Sequence, residues 1–254
     1  MGPGTTARSM AGLQSVVDAF ERDEPAIGTT LKSVSPNVAE ALGKTPLDFI
    51  LVDRQHGSPV FEDLEHVVRA ADVNDLPVVV RVPTDDLSMI TYFLDIGVAG
   101  VMLPQIEDPE TVVEASSHVR FSDGRSIATT SRAASFGAHD RQEYIDYVNE
   151  EVALLPQLES KGGVEVAREV AGLDETTALA IGPGDLSKSL GASSGDEVVQ
   201  DAIDEIFEAA NEAGSGAGIF VGSPEDIDRY ADVAKYIIYN SDVGLLMNHF
   251  DEVL

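Results

Sequence analysis

Short apolar runs alternate along this chain with stretches in which apolar residues recur every three or four positions. The runs fall at 26–31, 49–52, 77–80, 100–103, 152–157, 177–181, 218–221 and 235–239. Their length and their content of Val and Ile predict eight buried strands. Helical spacing occupies the intervals. Leu64, Val67, Val68 and Ala71 share one helix face, Gly97 closes a helix over 87–94, and Pro109 opens one that runs to about Val119. Further helices are predicted over 15–20, 37–42, 144–148, 164–170 and 198–213, from Pro224, and over 242–254. Only 121–137 lacks a pattern and is rich in Ser, Thr, Gly and Arg, as expected of a functional insertion or a mobile lid.

Strands alternating with helices predict a parallel sheet. Eight such units in 254 residues match the usual barrel length of about 250. The expectation is an α/β fold with one (β/α)8 TIM-barrel domain over 1–254, frayed over 1–10. A doubly wound open sheet is the alternative. The chain has no internal repeat, low-complexity segment or linker.

Composition adds an unusual charge. Sixteen Lys and Arg face 45 Asp and Glu, for a net charge of −29. Such a chain repels nucleic acid and anionic membrane. The acids are spread over helix faces: Asp201, Asp204, Glu205 and Glu208 flank apolar Ala202, Ile203, Ile206 and Phe207. That distribution fits the solvated surface of a halophile, whose salt screens the self-repulsion. No run is long enough for a membrane span, no secretory signal is evident, and cysteine is absent. These features lead to an expectation of a cytoplasmic protein without disulfides or thiolate metal sites.

Polar residues stand where the strands end. Asp53 and His56 follow the second run, Arg81 closes the third and Gln105 follows the fourth. Gln157 and Glu159 mark the fifth, and Asp185 follows the sixth. In a barrel all of these share the C-terminal face, where active sites lie. Each has an ordinary alternative: a loop histidine, a surface ion pair, the first residue of a helix. Their convergence carries the case.

The stretch from Ala180 to Ser187 reads as a strand end, a tight Gly182-Pro183-Gly184 loop and a carboxylate. Asp185 is then either a helix N-cap or a ligand-holding group. Glu159 and Asp185 follow neighbouring strands. Two carboxylates so placed can share one hard divalent cation, leaving positions open for water and substrate; the alternative is two separate helix caps. Asp53, three residues before His56, is placed to orient the imidazole as a general acid/base. Arg81 supplies a permanently charged fork for a carboxylate or a developing enolate oxygen. Two other motifs fail. In 182–189, Ser187 stands where a phosphate loop needs its second glycine. Gly214-Ser-Gly-Ala-Gly218 resembles a dinucleotide fingerprint, but it follows a helix and precedes a strand, so it reads as a helix stop.

At these residues the chain resembles the metal-dependent class II pyruvate aldolases of the HpcH/HpaI aldolase/citrate lyase family. The resemblance runs from about Ala26 to Leu246. It is carried by Leu51-Val-Asp-Arg-Gln-His56, Val79-Val-Arg81, Leu154-Leu-Pro-Gln-Leu-Glu159 and Ile181-Gly-Pro-Gly-Asp-Leu-Ser187. It implies a barrel enzyme that reversibly splits 4-hydroxy-2-oxo acids into pyruvate, or a close 2-oxo acid, and an aldehyde. Glu159 and Asp185 would hold Mg²⁺, Mn²⁺ or Co²⁺, and the ion would bind pyruvate through its carboxylate and keto oxygens. Arg81 would stabilise the enolate oxygen, and His56, held by Asp53, would move the proton at the aldehyde-derived hydroxyl. Gln157 and the Gly182-Pro183-Gly184 segment would line the pyruvate pocket. Asp95 would support the site, often across a subunit contact. The family's hexamers, trimers of dimers, exchange their last helix, which gives 242–254 an assembly role. This chain departs from the family at Arg54-Gln55, where Gly-Glu is usual, and at Arg125-Ser126, where Arg-Gly is usual. Two other functions fit the same residues: a non-catalytic 2-oxo-acid binder, and a lyase acting on a coenzyme A thioester.

Overall fold

The computed structural model describes residues 15–55 and 61–254. Within them eight parallel strands close a barrel in sequence order, with β8 pairing back onto β1. The strands are β1 (Ala26–Thr30), β2 (Phe49–Asp53), β3 (Val78–Arg81), β4 (Gly100–Leu103), β5 (Ala153–Leu158), β6 (Leu179–Ile181), β7 (Ala217–Val221) and β8 (Tyr236–Ser241). The helices are α1 (Val17–Phe20), α2 (Pro36–Leu42), α3 (Phe61–Asp72), α4 (Met89–Ile96), α5 (Pro109–Val119), α6 (Arg141–Glu151), α7 (Lys161–Ala171), α8 (Pro183–Ser189), α9 (Glu197–Ala213), α10 (Pro224–Tyr230) and α11 (Asp242–Val253). The closed sheet excludes the doubly wound alternative. Among the described residues no helix is long and apolar enough to cross a membrane.

Alternation along the strands divides the core in two. Phe49, Leu51, Val79, Ala153, Leu155, Ala180, Tyr236 and Ile238 fill the barrel lumen. Their neighbours Ile50, Val52, Val78, Val80, Leu154, Leu179 and Ile237 pack outward against the helices. Because side chains alternate with period two, Asp53, Arg81, Gln157 and Gly182 continue the lumen-facing series. The same parity that buries Leu51 and Leu155 therefore delivers polar groups to the barrel's C-terminal mouth.

The opposite end is plugged. Phe20 from α1 stacks on Tyr236, with ring centroids 4.6 Å apart, and meets Phe49 edge-on at 5.9 Å. Tyr236 donates its hydroxyl proton to the Leu179 carbonyl at 3.0 Å.

Two expectations need correction. The Gly182-Pro183-Gly184 stretch is not a loop: Gly182 caps α8 and Pro183 takes its first position, where a fixed φ and a missing N–H suit a helix start. Gly182 has φ −107°, and neither it nor Gly184 is left-handed, so unusual dihedrals do not explain these glycines. The irregular segment 121–137 is also anchored on α4 and α3, contrary to a mobile lid. Ala133 N–H donates to the Asp95 carbonyl at 3.0 Å, and Arg132 bonds the Ile96 carbonyl at 2.8 Å and pairs with Asp72. The helix-stop reading of Gly214 holds: it caps α9 with φ 81°.

The lumen's rings set a test of the packing. A Cβ at Gly218 would lie 2.3 Å from the Tyr236 ring, and one at Gly28 would lie 2.4 Å from the Phe49 ring. Gly218→Ala should destabilise the protein by on the order of 1–3 kcal/mol in chemical denaturation. An unchanged midpoint would contradict this packing.

Candidate active site

Strand register assembles the site pairwise. Asp53 and Arg81 are direct neighbours across β2 and β3, and Gln157 lies opposite Ala180 across β5 and β6. Arg81 grips Asp53 with two donors: Nε to Oδ1 at 3.0 Å and Nη2 to Oδ2 at 2.5 Å. Its Nη1 reaches Gln157 Oε1 at 3.3 Å. Gln157 in turn donates Nε2 to Glu159 Oε2 at 2.5 Å, and the Gln105 N–H donates to Glu159 Oε1 at 3.0 Å. One continuous network thus joins the ends of β2, β3, β4 and β5. Its floor includes Phe220, whose ring centroid is 5.7 Å from the Arg81 guanidinium carbon.

The network is buried where it matters. Asp53, Gln157 and Glu159 are 4%, 2% and 4% exposed. Gln105 carries the strain: its φ of 56° is left-handed for a non-glycine residue. That turn aims its N–H at the Glu159 carboxylate.

Neither carboxylate caps its helix. Ser160 caps α7, accepting from Gly163 N–H at 3.0 Å, and Gly182 is the N-cap of α8. The two-caps alternative therefore fails. Glu159 and Asp185 instead face one cavity of about 510 Å³, lined also by Gln105, Glu107, Ser160, Lys188 and Ser189. Gly182 is glycine for space: a Cβ there would sit 2.7 Å from Glu159 Oε2 and from Gln157 Nε2. Pro183 and Gly184 line a neighbouring cavity of about 500 Å³ together with Phe220 and Gly222. They do not line the cavity that Glu159 and Asp185 share.

Burial raises the Glu159 carboxyl to about 7 from 4.5. Arg81 opposes that rise, the nearby Asp185 adds to it, the Gln105 N–H opposes it, and Asp53 adds to it.

The structure thus gathers Asp53, Arg81, Gln157, Glu159, Gly182 and Asp185. It does not bring Asp95 to them within one chain: that carboxylate lies on α4 and pairs with buried Arg125 at 2.5 Å. His56 lies outside the described residues. Sequence reasoning passed over Glu107, Ser160, Lys188 and Phe220. Helical spacing held one signal, because Lys188 follows Asp185 by three positions and so shares its helix face. Strand parity held another, because Phe220 follows the lumen-facing Gly218 by two.

A closed parallel barrel with polar and acidic groups gathered at its C-terminal mouth is the architecture of a (β/α)8-barrel enzyme. The family model for HpcH/HpaI aldolase/citrate lyase matches residues 27–248, and the chain belongs to that family. It is 30% identical over 240 residues to the 2-dehydro-3,6-dideoxy-6-sulfogluconate aldolase of Pseudomonas putida, covering 92% of this chain and 93% of the relative. It is 33% identical over 236 residues to the hydroxypyruvate/pyruvate aldolase of Delftia acidovorans, covering 90% and 86%. The crystal structure of a family protein from Burkholderia cenocepacia superposes with a TM-score of 0.85 at 31% identity, covering 92% of this chain and 95% of that one.

The Glu159 shift sets a pH test. Its proton affinity is raised on folding, so its contribution to stability is full below pH 4.5 and is lost as pH rises through about 7. In chelator, the melting temperature of the wild type relative to Glu159→Gln should fall between pH 5 and pH 8. A difference independent of pH would contradict the desolvated carboxylate.

Proposed function

We propose that the protein is a carbon–carbon lyase that reversibly cleaves a 4-hydroxy-2-oxo acid to pyruvate, or a close 2-oxo acid, and an aldehyde, with a divalent ion. The observation that carries this reading is the pair Glu159 and Asp185 facing one cavity at the ends of adjacent strands, beside the Arg81 network. The donor set fits a hard cation: two carboxylates, of which Glu159 is pushed up to about 7 by burial, with Asp185 adding to the rise. A dication at this pair would take the place of the proton that Glu159 otherwise favours. Mg²⁺, Mn²⁺ or Co²⁺ bound there would supply Lewis-acid polarisation of the 2-oxo acid.

The chain's own residues divide the remaining work. Arg81, locked by Asp53 and Gln157, presents a fixed positive charge where the keto oxygen gains negative charge as the C3–C4 bond breaks. Gln157 spans Arg81 and Glu159 and so fixes the distance between the anion-stabilising and ion-holding halves. Gly182 lets Glu159 and Gln157 approach closely, and the space beside Gly184 opens into the second cavity. That opening suits the carboxylate of the 2-oxo acid. His56, three positions after Asp53 in sequence, would take the proton of the C4 hydroxyl, so that this carbon leaves as the aldehyde. The electron pair left on C3 then takes up a proton to give the methyl group of pyruvate.

Assembly follows from α11. Val243, Leu246, Met247, Phe250 and Val253 are 42%, 62%, 63%, 56% and 58% exposed, and they recur at helical spacing on one apolar stripe. A stripe of this kind marks a contact. It supports exchange of α11 with a second copy, within a hexamer built from dimers. Asp95 would then serve the partner's site. The net charge of −29 supports a salt-adapted protein that repels nucleic acid and anionic membrane, and the absence of cysteine fits a cytoplasmic one.

Two measurements test this reading. Solvent deuterium should enter the pyruvate methyl group only with added Mg²⁺, Mn²⁺ or Co²⁺. Asp185→Ala should slow that exchange by at least about a hundredfold while keeping the fold. Metal-independent exchange, or an unaffected variant, would sink the reading. For assembly, replacing Leu246 and Phe250 by Ser should shift sedimentation to a smaller species, and an unchanged mass would reject exchange of α11.

A further inference from the structure

The cavity that holds Glu159 and Asp185 has a third carboxylate on its wall, Glu107, contributed by the segment between β4 and α5. Glu107 has two devices that hold it. Ser160, the cap of α7, donates its hydroxyl proton to Glu107 Oε1. Gly162, in the first turn of α7, is the position against which the Glu107 carboxyl packs: a Cβ there would lie 2.9 Å from Glu107 Cδ and 3.1 Å from Oε1. The same short segment contains left-handed Gln105, whose N–H holds Glu159. Glu107 is therefore fixed relative to Glu159 through one turn of backbone and one cap.

Among the described residues no three acids or histidines are close enough together to ligate one ion directly. Glu107, Glu159 and Asp185 thus line the same space without forming a three-carboxylate cluster. A hard dication with only two protein carboxylates retains several waters or substrate oxygens, and those waters need acceptors.

We propose that Glu107 is a positioning residue for the divalent ion, accepting hydrogen bonds from the waters that fill its open coordination positions. This rests on the reading of Glu159 and Asp185 as the ion's ligands. Ser160 occupies one Glu107 oxygen, and the other serves the waters. Lys188, on the same wall, offsets part of the negative charge of the three carboxylates.

Mn²⁺ binding by calorimetry, with water-proton relaxation as a second readout, tests this on the full chain. Glu107→Gln keeps an acceptor for Ser160 and removes the charge. It should weaken Mn²⁺ binding roughly tenfold and change the relaxation of the bound waters, with the melting temperature in chelator unchanged. Gly162→Ala displaces the carboxyl without altering any charge, and should weaken Mn²⁺ in the same direction by a smaller factor. Affinity within twofold of wild type in both variants would overturn the proposal and leave Glu107 as a partner of the α7 cap. If the wild type binds Mn²⁺ and exchanges pyruvate protons while Glu107→Gln matches it, only this inference fails. If the wild type binds no Mn²⁺, this inference and the proposed function fall together.

Discussion

A carboxylate buried at the mouth of the barrel is the constraint on which the rest of this site depends. Glu159 is 4% exposed, and removing a charged group from water is costly unless something compensates. Two hydrogen bonds, from Gln157 Nε2 and Gln105 N–H, offset part of that cost. Arg81 is mostly committed to Asp53, and the neighbouring Asp185 makes matters worse. The Glu159 carboxyl therefore keeps its proton up to about pH 7. Gln105 accepts a left-handed backbone to direct its N–H, and position 182 forgoes a side chain to let Glu159 fit. Both are local sacrifices made for one carboxylate.

The barrel makes this arrangement with little extra machinery. Lumen parity carries Asp53, Arg81, Gln157 and Gly182 to one face, and parallel register sets Asp53 beside Arg81. Below them aromatic rings fill the lumen and α1 closes the far end, so the polar layer rests on a packed floor. A rigid floor matters because Arg81 can stabilise developing charge only if its guanidinium is already in place.

Much of this was legible in the sequence. The eight apolar runs correspond to the eight strands, and the polar residues after runs two to six mark the site, because a barrel sends every strand's C-terminal end to the same face. Other features were not legible, for reasons that lie in three dimensions. Gly182-Pro183-Gly184 reads as a loop by composition, yet Pro at a first helical position with Gly as cap also starts a helix, and only the fold decides. The irregularity of 121–137 suggested mobility, but Arg125 and Arg132 tie it to α4 by contacts that no local pattern encodes. Glu107 was one acid among 45, and what sets it apart is the Ser160 hydroxyl and the space over Gly162, both more than fifty positions away in sequence. Asp95 resembled a family position, but within one chain it faces Arg125 and not the site.

The central claim is that Glu159 and Asp185 share one ion at the ends of β5 and β6. A crystal structure of the protein with Mn²⁺ and pyruvate, with the metal located by its anomalous signal, tests this most directly. The account predicts a single peak bonded to both carboxylates, with pyruvate between it and Arg81. A peak elsewhere, or one bonded to Glu159 while Asp185 turns to solvent, would contradict it.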